Sequence, residues 1–303
     1  TLMTCYVEYG QGDKALTCFK RMIHMGISPD IITYLCVLKA CGSIQSLIHG
    51  EGIYTQIIGK GFESDLAVGS TLIDMYVKCG LIEIAKQVLE ELPVRDVVSW
   101  STLIAGYTQE GQGYEALECF EQMQREGFSP DVITFICILN ACGSIGSVDK
   151  GTRVHNAVIS MGFLEDLVLG SALMDMYVKC SALEKAHKVL KELPVREVVS
   201  WNALISGYSD PTRADVMLDF FDQLEKEGFS PNIVTFITIL KACASTGVTT
   251  GECREIHIKI SKKGLETDLM VRSTLIDTYA KYGLFDDAQS VFDNNSHQNA
   301  VSW

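Results

Sequence analysis

Residues 97–107 read VVSWSTLIAGY, and residues 198–208 read VVSWNALISGY. In the first of these, Trp100, Leu103, Ile104 and Tyr107 fall at i, i+3, i+4 and i+7, the apolar stripe of one helix. Gly111 to Gly113 interrupt the pattern, and Ala116, Leu117, Phe120 and Met123 resume it as a second stripe. Gly127 and Pro130 then stop it, so one cycle of the text predicts two helices joined by a short turn.

The same text returns through the chain. Trp100, Trp201 and Trp303 lie 101 and 102 residues apart, as do Tyr76, Tyr177 and Tyr279. SPDIITYLCVLKAC at 28–41 returns as SPDVITFICILNAC at 129–142 and SPNIVTFITILKAC at 230–243. GSTLIDMYVKC at 69–79 returns as GSALMDMYVKC and then as RSTLIDTYAKY. Each long cycle divides into repeats of 35, 35 and 31 residues, as in 97–131, 132–166 and 167–197. One extra residue in 233–268 explains the longer spacing. A two-helix repeat of this size cannot bury both its faces alone, so it must stack on its neighbours. The expected fold is all-α: a right-handed α-solenoid superhelix whose first helices line the concave side, with no domain boundary of the usual kind.

Composition agrees and excludes alternatives. Of 303 residues, 47% are apolar and 21% charged, which provides for an extended core and excludes a disordered chain. No run approaches the roughly 18 apolar residues of a membrane helix, so no membrane partner is expected. The chain runs from Thr1 to Trp303 without a targeting pattern and is expected to be a fragment. Its 11 cysteines sit inside apolar helical patterns, which suits a reducing compartment better than a disulfide framework. The net charge of −13 argues against a broad, non-specific grip on nucleic acid. Cys36 with Cys41 and Cys137 with Cys142 are too widely spaced for a zinc pair, and none of the six histidines completes a set. His155 and His257 share a position that Tyr54 takes in the first cycle, so they read as packing residues. No phosphate loop, nucleophile elbow, deaminase signature or paired catalytic carboxylate is present, and neither enzyme activity nor a cofactor is expected.

The order aromatic-x-x-Leu-Ile, Gly-Tyr, Ala-Leu-x-x-Phe-x-x-Met, Gly-x-x-Pro-Asp resembles the pentatricopeptide (PPR) family of plant organelle proteins. The 35-35-31 alternation resembles its PLS subfamily, with standard (P), long (L) and short (S) repeats. On that resemblance the array runs 1–30 P, 31–65 L, 66–96 S, 97–131 P, 132–166 L, 167–197 S, 198–232 P, 233–268 L, 269–299 S, with a truncated P at 300–303. It implies sequence-specific binding of single-stranded RNA, one base per repeat, with the RNA 5′ end towards the N-terminus. The fifth and last residues of a repeat read the base edge and the second packs on the base. Carried over, the reading pairs are Ser70 with Asp96, Ser101 with Asp131, Ser171 with Glu197, Asn202 with Asn232, and Ser273 with Asn299. Asp30 remains from a first repeat whose fifth residue is missing. The packing residues are Val98, Val168, Val199 and Met270. Ser with Asp then resembles a guanine reader, Ser with Asn an adenine reader and Asn with Asn a pyrimidine reader, while Glu197 departs from the family's Asp or Asn.

The L repeats differ: their fifth residues, Leu35, Ile136 and Ile237, cannot bond a base, although Asp65, Asp166 and Asp268 close them. Apolar side chains on a solvent-facing helix read either as protein docking or as intramolecular packing. The resemblance implies an accessory protein of the multiple organellar RNA editing factor (MORF/RIP) type, a role in C-to-U RNA editing, and a mitochondrial or chloroplast location. Lys78, Lys179 and Lys281 recur near the end of the first helix of the S repeats. They read either as solvated residues favoured by the helix dipole or as phosphate contacts. The serines likewise read as base readers or as polar fillers, and Trp100 and Trp201 as core. A protein-binding helical scaffold with weak RNA affinity is the rival reading.

Overall fold

The computed structural model describes residues 2–193, 196–207, 214–246 and 249–293, and among these it holds eighteen α-helices and no strand. They fall into two compact units, Thr1–Ile145 and Gly146–Trp303. The first holds α1 (Leu2–Glu8), α2 (Gly12–His24), α3 (Ile31–Ser43), α4 (Leu47–Lys60), α5 (Leu66–Lys78), α6 (Ile82–Glu91), α7 (Val97–Gln109), α8 (Gly113–Arg125) and α9 (Val132–Ser144). The second holds α10 (Val148–Ser160), α11 (Leu167–Lys179), α12 (Leu183–Glu192), α13 (Val198–Gly207), α14 (Ala214–Lys226), α15 (Ile233–Thr246), α16 (Thr250–Lys262), α17 (Leu269–Lys281) and α18 (Phe285–Asp293).

Odd-numbered helices are the first helices of the repeats. In the N-terminal unit α1, α3, α5, α7 and α9 pack side by side, each touching the next. The second helices α2, α6 and α8 each lean on their own first helix and on that of the following repeat. The C-terminal unit builds the same two layers, with α11, α13, α15 and α17 in succession and α12 and α14 braced across them. This is solenoid packing: each hairpin buries its faces against its neighbours in the stack.

The predicted stripes form the core. Trp100, Leu103, Ile104 and Tyr107 are buried on α7, and Ala116, Leu117, Phe120 and Met123 on α8. An aromatic pair staples one repeat to the next at three places: Phe19–Tyr34, Phe120–Phe135 and Phe221–Phe236, with ring centroids 6.1, 6.2 and 5.9 Å apart. A buried aromatic of this kind is worth about 3–5 kcal/mol against Ala. His155 and His257 are packing residues, as their spacing predicts, and each also hydrogen-bonds a core tyrosine: Nδ1 lies 3.0 Å from Tyr177 Oη and 2.8 Å from Tyr279 Oη. Two glycines show why the repeat text is so constrained. Gly127 ends α8 at φ +85°, a conformation other residues adopt only with strain. Gly69 lets Leu92 approach so closely that a Cβ there would sit 2.3 Å from Leu92 Cδ2.

Candidate nucleic-acid interface

The last residue of nearly every repeat is the N-cap of the next first helix. Asp30 accepts from the Thr33 amide, Asp96 from Ser99, Asp131 from Thr134 and Asp166 from Leu169. Asp65 accepts from Ala67 and Val68, and Asp268 from Met270 and Val271. These positions therefore have a local role beside the one carried over from the family, because an aspartate here satisfies otherwise orphaned amides. The Thr33 hydroxyl and amide also hold the Asp30 carboxyl below the ordinary range. Glu197 does not cap in this way: its backbone carbonyl, not its carboxylate, accepts from Ser200. Its extra methylene sets the carboxylate one bond too far out.

The fifth residues Ser70 and Ser101 lie beside these caps, between adjacent first helices. Ser101 Oγ is 2.7 Å from the Val97 carbonyl, to which it donates, and 2.6 Å from Thr134 Oγ1. Thr134 Oγ1 in turn lies 2.6 Å from Asp131 Oδ1. The arrangement is repeated at Ser70, 2.9 Å from the Leu66 carbonyl and 2.8 Å from Ser99 Oγ, with Ser99 Oγ 2.6 Å from Asp96 Oδ1. The structure thus brings both expected pairs together through a third residue, the hydroxyl at the third position of the following repeat. In the C-terminal unit Asn232 Oδ1 accepts from both the amide and the hydroxyl of Thr235, each at 3.0 Å. The Asn202 amide oxygen is buried there without a partner.

Exposure divides the expected site residues. Ser70, Ser171 and Ser273 are half-buried, whereas Ser101 is 6% and Asn202 8% exposed. At those two repeats any ligand has to enter the cleft between first helices, because each first helix is covered by neighbours on more than one side. Leu35, Ile136 and Ile237 are half-buried too, short of the solvent-facing placement expected for them. The exposed apolar position is the second. Val98 is 59% exposed, Val199 62%, and Val168 and Met270 63% each, and the second residues Ile32, Ile133 and Val234 stand out in the same way. Lys78, Lys179 and Lys281 are exposed but paired one turn back, with Asp74, Asp175 and Asp277, at 2.7, 2.7 and 2.8 Å. Asn299 lies outside the described residues.

Sequence reading missed the third-position hydroxyls Thr33, Ser99, Thr134 and Thr235. Their signal was present as Asp-x-x-Thr, Asp-x-x-Ser or Asn-x-x-Thr across each junction, a capping spacing. Among the described residues no cluster of His, Cys, Asp and Glu could hold a metal ion, and no helix is long and apolar enough to cross a membrane.

A model described as PPR repeat family matches residues 1–43, 95–144 and 196–245, and a second, PPR repeat, matches 70–97, 171–198 and 271–294. Together they cover most of the chain. Similar proteins of Arabidopsis thaliana include a pentatricopeptide repeat-containing protein named as chloroplastic, 36% identical over 97% of this chain and 48% of its own length. Another, also named as chloroplastic, is 32% identical over 98% of this chain and 34% of its own length. A third, named as mitochondrial, is 34% identical over 89% of this chain and 42% of its own. The chain spans about half or less of the length of these relatives. Among solved structures, the pentatricopeptide repeat protein PPR10 in complex with an 18-nt psaJ RNA element superposes with a TM-score of 0.74 at 23% identity. The match covers 96% of this chain and 43% of that one, and it shows a shared solenoid fold. With repeat text, two-layer stacking and family matches in agreement, the chain belongs to the pentatricopeptide (PPR) repeat family.

Proposed function

We propose that the chain binds single-stranded RNA along its first helices, one nucleotide per repeat. One observation carries this reading: a strongly exposed apolar side chain in the first turn of first helices, as at Val98, Val168, Val199 and Met270, beside a polar fifth–last pair. Isolated exposed apolar residues are ordinary on protein surfaces. Such residues recurring once per repeat within each unit, beside polar fifth residues, suit flat bases that need an apolar face and an edge to read. Ser70 with Asp96 and Ser101 with Asp131 are then guanine readers, Asn202 with Asn232 a pyrimidine reader, and Ser171 with Glu197 and Ser273 with Asn299 the remaining pairs.

The finer part of the proposal is organellar. The array follows the three-part PLS order, guides C-to-U editing in a chloroplast or mitochondrion, and takes a MORF/RIP-type accessory protein at the L repeats. The order of repeats supports this, as do the organelles named for the relatives and the apolar side chains of Leu35, Ile136 and Ile237 with exposed Ile32, Ile133 and Val234 beside them.

Fluorescence anisotropy tests both parts. An oligonucleotide with two guanines facing Ser70/Asp96 and Ser101/Asp131 is expected to bind more tightly than its two-cytosine counterpart, by about thirtyfold or more if each of the two mismatches costs about 1–3 kcal/mol. Equal affinity sinks base reading. Repeating the titration with the accessory protein present should raise affinity, and no gain removes that partner. The rival reading, a protein-binding scaffold, draws on the net charge of −13 and on the lysines being held in ion pairs. It is favoured if neither oligonucleotide binds.

A further inference from the structure

The hydroxyl at the third position of a repeat is absent from the two-residue reading scheme, yet at Ser99 and Thr134 it bridges both members of the pair before it. Its occurrence follows a rule within this one sequence. Where the fifth residue is polar, the third residue of the next repeat carries a hydroxyl: Ser70 with Ser99, Ser101 with Thr134, Ser171 with Ser200, Asn202 with Thr235. Where the fifth residue is apolar, the third residue of the next repeat is apolar as well: Leu35 with Val68, Ile136 with Leu169, Ile237 with Val271.

Proton counting says what the bridge does. Ser101 and Thr134 have one hydroxyl hydrogen each. Three close contacts need them: Ser101 Oγ to the Val97 carbonyl at 2.7 Å, Ser101 Oγ to Thr134 Oγ1 at 2.6 Å, and Thr134 Oγ1 to Asp131 Oδ1 at 2.6 Å. The Val97 carbonyl and the carboxylate only accept, so both hydrogens are committed within the protein and none is left to point outward. Ser101 Oγ can therefore offer a base only lone pairs. Asp131 does the same with Oδ2, since its amide and hydroxyl donors both fall on Oδ1. The Ser70–Ser99–Asp96 relay repeats this with contacts of 2.9, 2.8 and 2.6 Å.

We propose that the third-position hydroxyl is a specificity-determining positioning residue: Thr134, and Ser99 likewise, locks the preceding serine as an acceptor, so that the pair presents two acceptors side by side. Among the four bases, two neighbouring donors on the pairing edge occur in guanine, at N1–H and the N2 amino group. Thr134 sends its own hydrogen to the carboxylate and offers the Ser101 hydrogen a second acceptor beside the Val97 carbonyl; without it that carbonyl alone holds the hydrogen, which turns outward to adenine N1 at lower cost, so guanine loses part of its advantage. At Asn202 and Asn232 the relay ends differently, because Thr235 occupies Asn232 Oδ1 and leaves the amide NH2 as donor. That pair cannot present two acceptors through the same bridge.

This inference rests on the RNA-binding reading, and the test separates the two. The full chain is used to select from a randomised single-stranded RNA pool, alongside Thr134→Val, which keeps shape and removes the hydroxyl, and Thr134→Ser, which keeps the hydroxyl. The parent chain is expected to enrich guanine at two adjacent positions. Thr134→Val should lower guanine-over-adenine enrichment about tenfold at the position facing Ser101 and leave the position facing Ser70 unchanged. Thr134→Ser should restore it. Full guanine enrichment at both positions in Thr134→Val overturns the proposal. Equal loss at both positions also overturns it, since the effect is then not local. Absence of any enrichment by the parent chain removes base reading itself, and the relay with it.

Discussion

His155 is half-buried, with its Nδ1 against Tyr177 Oη and its Nε2 atom buried without a partner. Burial is the main cause that holds its imidazole below the usual range, and His187 is shifted in the same direction for the same reason. The unfolded chain therefore takes up protons more readily than the folded one as pH falls through about 6.5. Stability from these residues is complete above that pH and is lost below it. Urea midpoints measured at about pH 7.5 and about pH 5.5 should show the loss. His155→Tyr, the residue the first cycle carries as Tyr54, should lose less over the same interval. An identical pH response in the variant would rule out His155 as a contributor. The capping aspartates show another side of residue-scale reading. Asp96 and Asp131 were legible as site candidates from their place in the repeat, and their capping role was written across the repeat boundary in the Asp-x-x-Ser and Asp-x-x-Thr spacing.

Helices and their ends were the most legible level. The i, i+3, i+4, i+7 stripes of α7 and α8 predict their buried faces, and a glycine past each stripe predicts where the chain turns. Width of burial was not legible. Ser101 follows Trp100 by one position and looks peripheral to the stripe, yet it is covered because α7 packs against α5, α9 and α8 together. A periodicity reading sees one buried arc, whereas a first helix in a stack has several. Helix ends also expose a departure from the repeat. After α11 the turn residue is Ser181 at φ 56°, where the equivalent turns have Gly80 at φ 75° and Gly283 at φ 70°. A serine held in the left-handed region is strained, and glycine is not. Ser181→Gly should raise stability by about 0.5–1 kcal/mol, read from the urea midpoint. A midpoint that stays put or falls would show that the serine side chain stabilises the turn by a contact of its own.

At the scale of the whole chain the question is how a protein of net charge −13 would hold a polyanion. Some of its cations are committed elsewhere: Arg95 to Glu126, Arg196 to Glu227, Arg254 to Asp287 and Lys259 to Asp222 and Glu225. Lys78, Lys179 and Lys281 are paired as well, but with neighbours one turn back on an exposed surface. Such i, i+4 pairs are worth only about 0.3–0.5 kcal/mol, so a phosphate can compete for the ammonium at small cost. Binding through bases and apolar second residues, with few phosphates engaged, predicts a shallow salt dependence. Three lysine contacts to a single strand give a slope of log K against log salt of about −2. Replacing all three lysines by glutamine should bring the slope close to zero while keeping the guanine preference at Ser70 and Ser101, since base reading and phosphate contact would be carried by different residues. An unchanged slope in the triple variant would move the phosphate contacts to other cations. Loss of the base preference together with the slope would instead mean that these lysines position the strand for reading, and that the ion pairs with Asp74, Asp175 and Asp277 open when RNA binds.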